Sequence, residues 1–291
     1  MVNLPFYLVD VFADSKYAGN QLAVVADAGN LSALEMQAIA KEMNFSETSF
    51  ILDRQPRNGG YEVRIFSPQK ELPFAGHPTL GTAYILQKEI LKSAEASILL
   101  NLKAGQIPVN FQESDLFWMR QNPPIFGQHF DVAPLADVLN IEVEQIDARF
   151  PIQAVSTGIP FTIVPLKTHE ALKRARVNRE RYFEWAQSVQ AREILIFCPE
   201  TYSCDNDLSV RVFAEYLGIP EDPATGSANG CLAGYLVEYD YFQGGTVEAR
   251  VEQGYEIGRP SLLFLKAQRK NGEIEVWVGG RVLMVAKGEL V

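Results

Sequence analysis

The sequence contains one passage twice, and this duplication constrains the possible fold more than any other feature. Residues 71–86 read ELPFAGHPTLGTAYIL, and residues 221–236 read EDPATGSANGCLAGYL. A similar apolar run precedes each passage, at residues 63–66 and 210–213. A repeat of about half the chain length predicts two similar halves rather than a solenoid, with ligands bound in the cleft between them. At an offset of 150 residues, the identical pairs are Glu71 and Glu221, Pro73 and Pro223, Gly76 and Gly226, Ala83 and Ala233, and Leu86 and Leu236.

Two unusually apolar helices are predicted to follow the repeated turns, at residues 80–91 and 228–239. Neither has a polar stripe, which is typical of a helix buried on all sides. The sequence therefore predicts an α+β fold of two pseudo-symmetric, strand-rich halves, each wrapped around one central helix. We place the halves at residues 1–121 and 122–291, and the last strand, at about 280–291, can cross back to the first half.

Runs of β-branched and aromatic residues bounded by Gly, Pro, Asn or Asp predict the strands. A capping-box pattern formed by Ser32 and Glu35 predicts a helix that ends near Met43, and a second short helix is predicted at residues 133–139. Residues 179–188 have a mixed pattern. Residues 154–165 are predicted to contain strands around residues 156–160. The other predicted strands are residues 5–13, 21–26, 50–52, 61–66, 97–102, 106–111, 116–121, 246–253, 261–266, 273–278 and 282–286, with a Gly-containing turn between the last two.

Composition argues against several classes of partner and cofactor. The net charge of -10 argues against a nucleic-acid or anionic-membrane partner, because both require clustered cations. The first residues lack a signal-peptide pattern and no apolar run approaches the roughly 18 residues of a membrane span, so we expect a cytoplasmic protein. No GxGxxG or Walker motif is present, so no nucleotide cofactor is expected. The cysteines and histidines lack disulfide-framework or metal-ligand spacing, so we expect free thiols and no metal: Cys198, Cys204, Cys231, His77, His129 and His169.

Each predicted buried helix begins at a glycine-containing turn, residues 75–78 and 224–227. Glycine allows close approach of a ligand to the backbone, and the free N–H groups of a helix start attract anions. Two such starts facing one cleft would bind a carboxylate and stabilise negative charge that develops on it. The alternative is that Thr225 and Ser227 are ordinary N-caps and Pro78 an ordinary first-turn proline. The duplication of the turn favours the functional interpretation.

The polar residues of the two turns differ, as a directional reaction requires. His77 in the first copy corresponds to Ser227 in the second, and Asp222 stands where the first copy has Leu72. Glu47 lies in a short polar segment between a predicted helix and a predicted strand, where it could also be a solvated loop residue.

These residues lie in segments that resemble the PhzF-like (phenazine biosynthesis) family. The resemblance extends from residue 10 to residue 228 in the order of the family's motifs. The segments are Asp10-Val11-Phe12, Gly19-Asn20, residues 44–50 (NFSETSF), residues 64–68 (RIFSP), residues 71–81 (ELPFAGHPTLG), residues 156–160 (STGIP) and residues 221–228 (EDPATGSA).

The resemblance implies the diaminopimelate-epimerase fold, a homodimer, and cofactor-free isomerisation of trans-2,3-dihydro-3-hydroxyanthranilate. Carried over to matching positions, it implies that Glu47 is the catalytic acid/base and that His77 and Asp222 are further catalytic groups. It also implies a set of substrate-binding residues: Asn20, Gly76, Thr225, Gly226 and Ser227. Diaminopimelate epimerases instead use two cysteines at the helix starts. Here Ala75 and Thr225 occupy those places and Cys231 lies inside the helix, so two-thiol epimerisation is disfavoured.

The sequence therefore predicts a cofactor-independent isomerase that acts on a small carboxylate-bearing metabolite. Glu47 would abstract a proton from carbon and return it at another position, with its pKa raised by burial or by Asp222 nearby. His77 would form a hydrogen bond with the substrate. Two alternatives remain: an amino-acid racemase or epimerase that uses Glu47 and another base, and a non-catalytic metabolite- or protein-binding member of the family.

Overall fold

A computed structural model describes residues 3–92, 95–112 and 115–291. The chain forms two compact units. Unit 1 contains the described residues up to Arg120 together with Gly279–Val291, and unit 2 contains Gln121–Val278. Strands predominate in both units and helices pack against them, so the chain is an α+β protein, as the sequence predicts.

Unit 1 has two helices, α1 (Ala33–Met43) and α2 (Gly76–Ile85). A 3₁₀ turn lies at Ala28–Asn30, and α2 continues into a π-helical segment at Leu86–Leu91. The strands in chain order are β1 (Leu4–Val11), β2 (Asn20–Val25), β3 (Glu47–Ile51), β4 (Tyr61–Phe66), β5 (Glu71–Leu72), β6 (Ser97–Leu102), β7 (Gly105–Gln112) and β8 (Leu116–Gln121), which ends at the boundary with unit 2.

The strands of unit 1 pair in a defined series. β1 is antiparallel to β2, β2 is parallel to β3, and β3 is antiparallel to β4. β4 is parallel to β6 and antiparallel to the short β5, and β7 is antiparallel to both β6 and β8. Helix α2 packs against β1, β2, β3, β6 and β7, so strands of its own unit surround it.

Unit 2 has four helices, α3 (Val132–Leu139), α4 (His169–Arg174), α5 (Arg179–Ala186) and α6 (Gly226–Glu238). Its 3₁₀ turns lie at Val143–Gln145, Glu215–Leu217 and Tyr255–Ile257. Its strands are β9 (Ile125–Phe130), β10 (Ile152–Ser156), β11 (Pro160–Pro165), β12 (Glu193–Cys198), β13 (Leu208–Ala214), β14 (Ile219–Asp222), β15 (Thr246–Gln253), β16 (Ser261–Lys270) and the first part of β17 (Glu273–Leu290).

The pairing series of unit 2 has the same order of directions as that of unit 1. β10 is antiparallel to β11, β11 is parallel to β12, and β12 is antiparallel to β13. β13 is parallel to β15 and antiparallel to the short β14, and β15 is antiparallel to β16. β9 is antiparallel to β10. Helix α6 packs against β10, β11, β15 and β16 of its own unit.

Both central helices begin at the glycine of the repeated turn, a few residues earlier than the sequence predicts. In α2 every residue from Gly76 to Ala83 is buried, and in α6 nearly all residues are buried. A helix that is apolar on all sides has no polar face to expose to solvent, so the surrounding strands bury its apolar side chains on every side. The predicted capping box of α1 is confirmed: the Ser32 hydroxyl accepts from the Glu35 amide, and the Glu35 carboxylate accepts from the Ser32 amide.

An ion pair, partly buried in unit 1 and buried in unit 2, anchors the short strand that leads into each central helix. The Arg64 guanidinium donates to both carboxylate oxygens of Glu71 at 2.8 and 3.0 Å, and this contact lowers the pKa of Glu71. In unit 2, Arg211 donates to both oxygens of Glu221 at 2.9 and 2.8 Å. Bidentate pairs of this kind hold a carboxylate in one orientation. Each pair therefore fixes the chain direction a few residues before the helix start.

Two local predictions are wrong. Residues 179–188 hold the helix α5 rather than a mixed segment, because the Asn178 side chain caps its start. The other concerns the predicted turn between residues 273–278 and 282–286, where the structure has one continuous strand, β17. The strands predicted within residues 154–165 are confirmed as β10 and β11, with a turn between them at residues 157–159.

Gly279 and Gly280 do not turn the chain within β17; they make room for two aromatic rings. A Cβ atom at Gly279 would lie 2.6 Å from the Trp118 ring, and one at Gly280 would lie 2.2 Å from the Phe12 ring. Glycine within a strand often marks such a close approach rather than a turn.

Gly280→Ala is expected to lower the free energy of unfolding by about 1–3 kcal/mol, because the new methyl group overlaps the buried Phe12 ring. Gly288→Ala in the same strand is the control, since no atom lies within 4 Å of its Cβ position. Urea unfolding of the two variants measures the difference. Equal stability of Gly280→Ala and the wild type would contradict the proposed role of this glycine.

Among the described residues, none of the helices combines the length and the apolar composition that crossing a membrane requires.

Candidate active site

The start of α2 presents backbone amides that no protein group uses. Its N-cap residue is Ala75, which has no side chain to accept a hydrogen bond. Within the described residues, the amides of Gly76 and His77 donate to no partner, and the first helical bond from this turn is Thr79 N–H to the Ala75 carbonyl at 3.3 Å. Free amides at a helix start carry the positive end of the helix dipole. This turn can therefore bind a negatively charged group.

The His77 ring bridges two groups of unit 1. Its Nε2 lies 3.2 Å from the Gln21 carbonyl oxygen, and its Nδ1 lies 3.4 Å from Oε2 of Glu47. A carbonyl oxygen only accepts, so Nε2 carries the proton of the neutral ring. Nδ1 then presents a lone pair to the Glu47 carboxyl group.

Burial keeps the imidazole neutral. The His77 side chain is 6% exposed, and this burial lowers its pKa to about 3, although the Gln21 carbonyl favours the charged form. The nitrogen that faces Glu47 is therefore a hydrogen-bond acceptor. The Gln21 carbonyl engages Nε2 and Nδ1 lies against Glu47, so the direct hydrogen bond from His77 to substrate stays a prediction.

Glu47 is the first residue of β3 rather than a loop residue. The chain enters β3 after Asn44, whose left-handed conformation (φ 53°) ends α1, and Glu47 pairs with Leu22 of the parallel strand β2. The Glu47 side chain is 15% exposed. Asn20, also expected to bind substrate, is buried at the first position of β2, next to Gln21.

The start of α6 has a different arrangement. Thr225 is the N-cap residue, but its side chain makes no capping bond. Its hydroxyl instead donates to Oδ2 of Asp222 at 2.5 Å. Ser227 has no hydrogen-bond partner among the described residues, and the amides of Gly226 and Ser227 have none either. The ordinary N-cap interpretation of Thr225 and Ser227 is therefore wrong, and two amides and a hydroxyl remain for a ligand.

The buried side-chain amides of Gln253 and Asn229 hold the turn from Asp222 to Thr225. Gln253 Oε1 accepts from the Thr225 amide at 3.2 Å and from Asn229 Nδ2 at 2.9 Å. Gln253 Nε2 donates to the Asp222 carbonyl at 2.8 Å and to the Thr225 hydroxyl at 3.0 Å. Asn229 Nδ2 also donates to the Thr225 carbonyl at 3.0 Å. All polar groups of Thr225 therefore have partners within unit 2.

A second network supports the first carbonyl of α6. Gln121 Nε2 donates to the Gly226 carbonyl at 2.9 Å, and its Oε1 accepts from the Thr157 hydroxyl at 2.7 Å. Cys231 lies beside Thr157 and donates to the Ile159 carbonyl. Burial raises the pKa of the Cys231 thiol to about 12, so the thiol stays protonated and is not available as a base. This agrees with the expectation that two-thiol chemistry is disfavoured.

The described part of the chain contains no cluster of three or more His, Cys, Asp and Glu side chains arranged to hold a metal ion. Its cysteines, Cys198, Cys204 and Cys231, are free thiols.

The structure brings the predicted residues together in two groups, one in each unit. Glu47 and His77 meet in unit 1, and Asp222, Thr225, Gly226 and Ser227 share one turn in unit 2. Sequence reasoning did not find Gln253. Its signal was the alternation of Val247, Ala249 and Val251 on the buried face of β15, which ends with a polar residue at position 253.

Comparison with known proteins identifies relatives that match nearly the whole chain. A family model described as "Phenazine biosynthesis-like protein" (PhzC-PhzF) matches residues 9–288. A trans-2,3-dihydro-3-hydroxyanthranilate isomerase of Pseudomonas chlororaphis is 33% identical over 98% of this chain and 99% of the relative. An uncharacterized isomerase of Mesorhizobium japonicum is 33% identical over 98% of both proteins. The crystal structure of a Bacillus anthracis phenazine biosynthesis protein of the PhzF family has a TM-score of 0.92 and 30% identity over 100% of both chains.

The match extends over nearly the whole length of this chain and of its relatives, and these curated relatives are named isomerases. The chain is an isomerase, as the sequence predicts. It belongs to the PhzC-PhzF family of phenazine biosynthesis-like proteins.

Proposed function

We propose that this chain is a cofactor-independent isomerase that moves a proton between carbon atoms of a small carboxylate-bearing metabolite, with Glu47 as the acid/base. The observation that carries this proposal is the contact between Glu47 Oε2 and the neutral Nδ1 of His77 at the start of α2. A carboxyl group that is mostly shielded from water and close to free helix-start amides is well suited to proton transfer at carbon.

In the proposed reaction, the Glu47 carboxylate removes a proton from carbon and becomes a carboxylic acid. The His77 lone pair at Nδ1 then accepts a hydrogen bond from the new O–H group, which stabilises the protonated form. The electron pair left on the substrate shifts through its double bond, and the same carboxyl group returns the proton at another carbon. Proton and charge balance without a cofactor. His77 acts on the substrate through Glu47.

The free amides of the helix starts are proposed to hold the negative charge of the substrate. The amides of Gly76 and His77 in unit 1, and of Gly226 and Ser227 in unit 2, have no acceptor among the described residues. Each favourable charge–helix interaction contributes about 0.3–1 kcal/mol when exposed, and more when partly buried. We propose that Asp222 and the Ser227 hydroxyl contribute polar contacts to the same reaction, and that Asn20 contributes to substrate binding.

We propose trans-2,3-dihydro-3-hydroxyanthranilate, or a molecule of its chemical class, as the substrate. It is the compound in the name of the Pseudomonas chlororaphis relative, and an anthranilate carries the carboxylate that the helix starts would bind. Similar sites can support different substrates, so the test must include other small carboxylates.

We further propose that the two units are pseudo-symmetric products of duplication, with an epimerase-like fold. The pairing directions of β1–β6 repeat in β10–β15, the Arg64–Glu71 pair repeats as Arg211–Glu221, and α2 repeats as α6. A second correspondence lies in the loops before β4 and β13. Asn101 donates to the carbonyls of Arg57 and Gly60, and Glu252 accepts from the amides of Tyr202 and Ser203.

Deuterium exchange tests the proposed reaction against its alternatives. The protein is incubated in D₂O with trans-2,3-dihydro-3-hydroxyanthranilate and, separately, with proline and other amino acids, and the products are followed by NMR. Double-bond migration with deuterium at one carbon supports the isomerase. Exchange at a stereocentre without bond migration would favour the racemase or epimerase alternative, and binding without exchange would favour the non-catalytic one.

Simple carboxylates are expected to perturb the free amides. In ¹H–¹⁵N spectra, benzoate should shift the signals of Gly76 and Gly226 more than the signal of Gly288, an exposed strand glycine. The net charge of -10 repels anions at long range, but ordinary salt screens it beyond roughly 8–10 Å, so the local attraction dominates. Unmoved Gly76 and Gly226 signals would contradict the carboxylate-binding role.

We propose that the protein works as a homodimer without a nucleic-acid or membrane partner, as its family resemblance and net charge indicate. Sedimentation equilibrium should then give twice the mass of the chain, and a single-chain mass would contradict the proposal.

A further inference from the structure

The side chain of Gln253 uses its full hydrogen-bonding capacity on one turn. It is 1% exposed, at the last position of β15. Its Oε1 accepts from the Thr225 amide and Asn229 Nδ2, while its Nε2 donates to the Asp222 carbonyl and the Thr225 hydroxyl. An amide side chain can make about four such bonds, two from the nitrogen and two to the oxygen. None of this capacity remains for a ligand.

This arrangement determines the direction of the Thr225 hydroxyl proton. The Thr225 amide only donates and the Asp222 carbonyl only accepts, so the Gln253 amide has one possible orientation. Because Nε2 donates to the Thr225 oxygen, the Thr225 proton points away from Gln253 and towards Asp222 Oδ2, 2.5 Å away. Asp222 Oδ2 is thereby held as a hydrogen-bond acceptor.

Unit 1 builds the same helix start without this network. The register of β4 with β6 pairs Glu62 with Asn101, and that of β13 with β15 pairs Ser209 with Glu252, so Gln253 corresponds to the next residue of β6, Leu102. The corresponding residues of unit 1 are mostly apolar: Leu72, Ala75, Thr79 and Leu102, against Asp222, Thr225, Asn229 and Gln253 in unit 2. The fold of the turn therefore does not need the hydrogen-bond network. The network is present in the unit whose turn contains a carboxylate, that of Asp222.

We propose that Gln253 is a positioning residue that holds Thr225 as a donor to Asp222 and thereby fixes the Asp222 carboxylate for the reaction. The inference rests on the proposed function, in which Asp222 contributes to proton transfer on the substrate. Gln253 acts only through this turn.

Gln253→Glu tests the proposal with almost no change of shape. One carboxylate oxygen can still accept from the Thr225 amide and Asn229, but the other replaces the donor that faces Asp222 and Thr225. The Thr225 proton can then turn towards the new carboxylate, and a second negative charge lies near Asp222. With trans-2,3-dihydro-3-hydroxyanthranilate as substrate, we expect kcat to fall about 10- to 100-fold, with a smaller change in KM.

The control is Gln153→Glu, which buries a carboxylate in the same unit away from this turn. Gln153 is buried on β10, where it donates to Gly127 and accepts from Tyr239.

A double-mutant cycle then separates the positioning of Asp222 from a general loss of structure. In the Asp222→Asn background, Gln253→Glu should lower kcat by less than about threefold, because its effect passes through Asp222. Equal losses in both backgrounds, or an equal loss in Gln153→Glu, would overturn the proposal.

A titration without substrate tests the role of Gln253 independently of the proposed function. The ¹³C signal of the Asp222 carboxyl carbon is titrated in the wild type, in Gln253→Glu and in Thr225→Val, which keeps the shape of Thr225 but removes its hydroxyl. Both variants should move the midpoint to higher pH, by about one pH unit for Gln253→Glu. Unmoved midpoints in both variants would overturn the role of Gln253. A wild type without turnover would instead count against the proposed function, while the titration would still decide the role of Gln253.

Discussion

Glu47→Gln is expected to lower turnover by about 10²–10⁴-fold while leaving the binding of carboxylate analogues intact. Glutamine keeps the size of the side chain but cannot accept and return a proton. Its amide nitrogen can donate to His77 Nδ1, so the contact seen at 3.4 Å has a replacement and the site should keep its shape. Steady-state rates with trans-2,3-dihydro-3-hydroxyanthranilate, together with the affinity for the aromatic analogue 3-hydroxyanthranilate, measure the two effects separately.

The matched control is Glu193→Gln, at the corresponding position of unit 2. Glu47 and Glu193 are the first residues of β3 and β12, and the next residues, Thr48 and Ile194, pair with Phe66 and Phe213. Glu193 is buried, which raises its pKa to about 7, and its neighbour is the Tyr182 phenol rather than a histidine. Turnover of Glu193→Gln should equal that of the wild type. Equal activity of Glu47→Gln and Glu193→Gln would remove Glu47 from the mechanism.

His77 should make the protein less stable in acid, and His77→Gln should remove this effect. Burial lowers the pKa of His77 in the folded state to about 3, below the value of 6.5 in the unfolded chain. As the pH falls below 6.5 the unfolded state binds a proton that the folded state does not, so the free energy of unfolding decreases until the pH reaches the folded pKa. Between pH 6.5 and pH 4 this contribution amounts to about 3 kcal/mol.

Urea unfolding at several pH values measures this difference between the wild type and His77→Gln. The control is His129→Gln, which makes the same replacement at an exposed histidine, on β9. The destabilisation of the folded state by His77 is absent above pH 6.5 and grows as the pH falls below that value. Parallel stability curves for the wild type and His77→Gln would contradict a neutral, buried imidazole and the acceptor role assigned to Nδ1.

Much of the candidate site could be predicted from the sequence because its chemistry is local. The glycines at residues 76 and 226, the polar residues around them and the capping box at Ser32 all lie within a few residues of their partners. Asp222 and Thr225 are only three residues apart, and Arg64 and Glu71 are seven apart, so the repeated passage already contains both contacts.

The equivalence of Glu47 and Glu193 was hidden by loop lengths. The repeated glycines are 150 residues apart, whereas Arg64 and Arg211 are 147 apart and the two glutamates 146 apart. Loops of different length shift the offset along the chain, so one fixed offset cannot align the strands before the turn. Only the pairing of Thr48 with Phe66 and of Ile194 with Phe213 identifies the corresponding residues.

The sequence by itself determined the two buried helices, most strands and the helix-start turns, because periodicity, turn chemistry and capping act over short separations. Tertiary structure alone decided that Gly279 and Gly280 continue a strand, since the rings they accommodate come from Trp118 and Phe12, far away in sequence. It also decided that His77 faces Glu47 and that Gln253 holds Asp222 and Thr225. These contacts join residues about 30 or more positions apart, and their donor and acceptor directions depend on strand register, which no local pattern encodes.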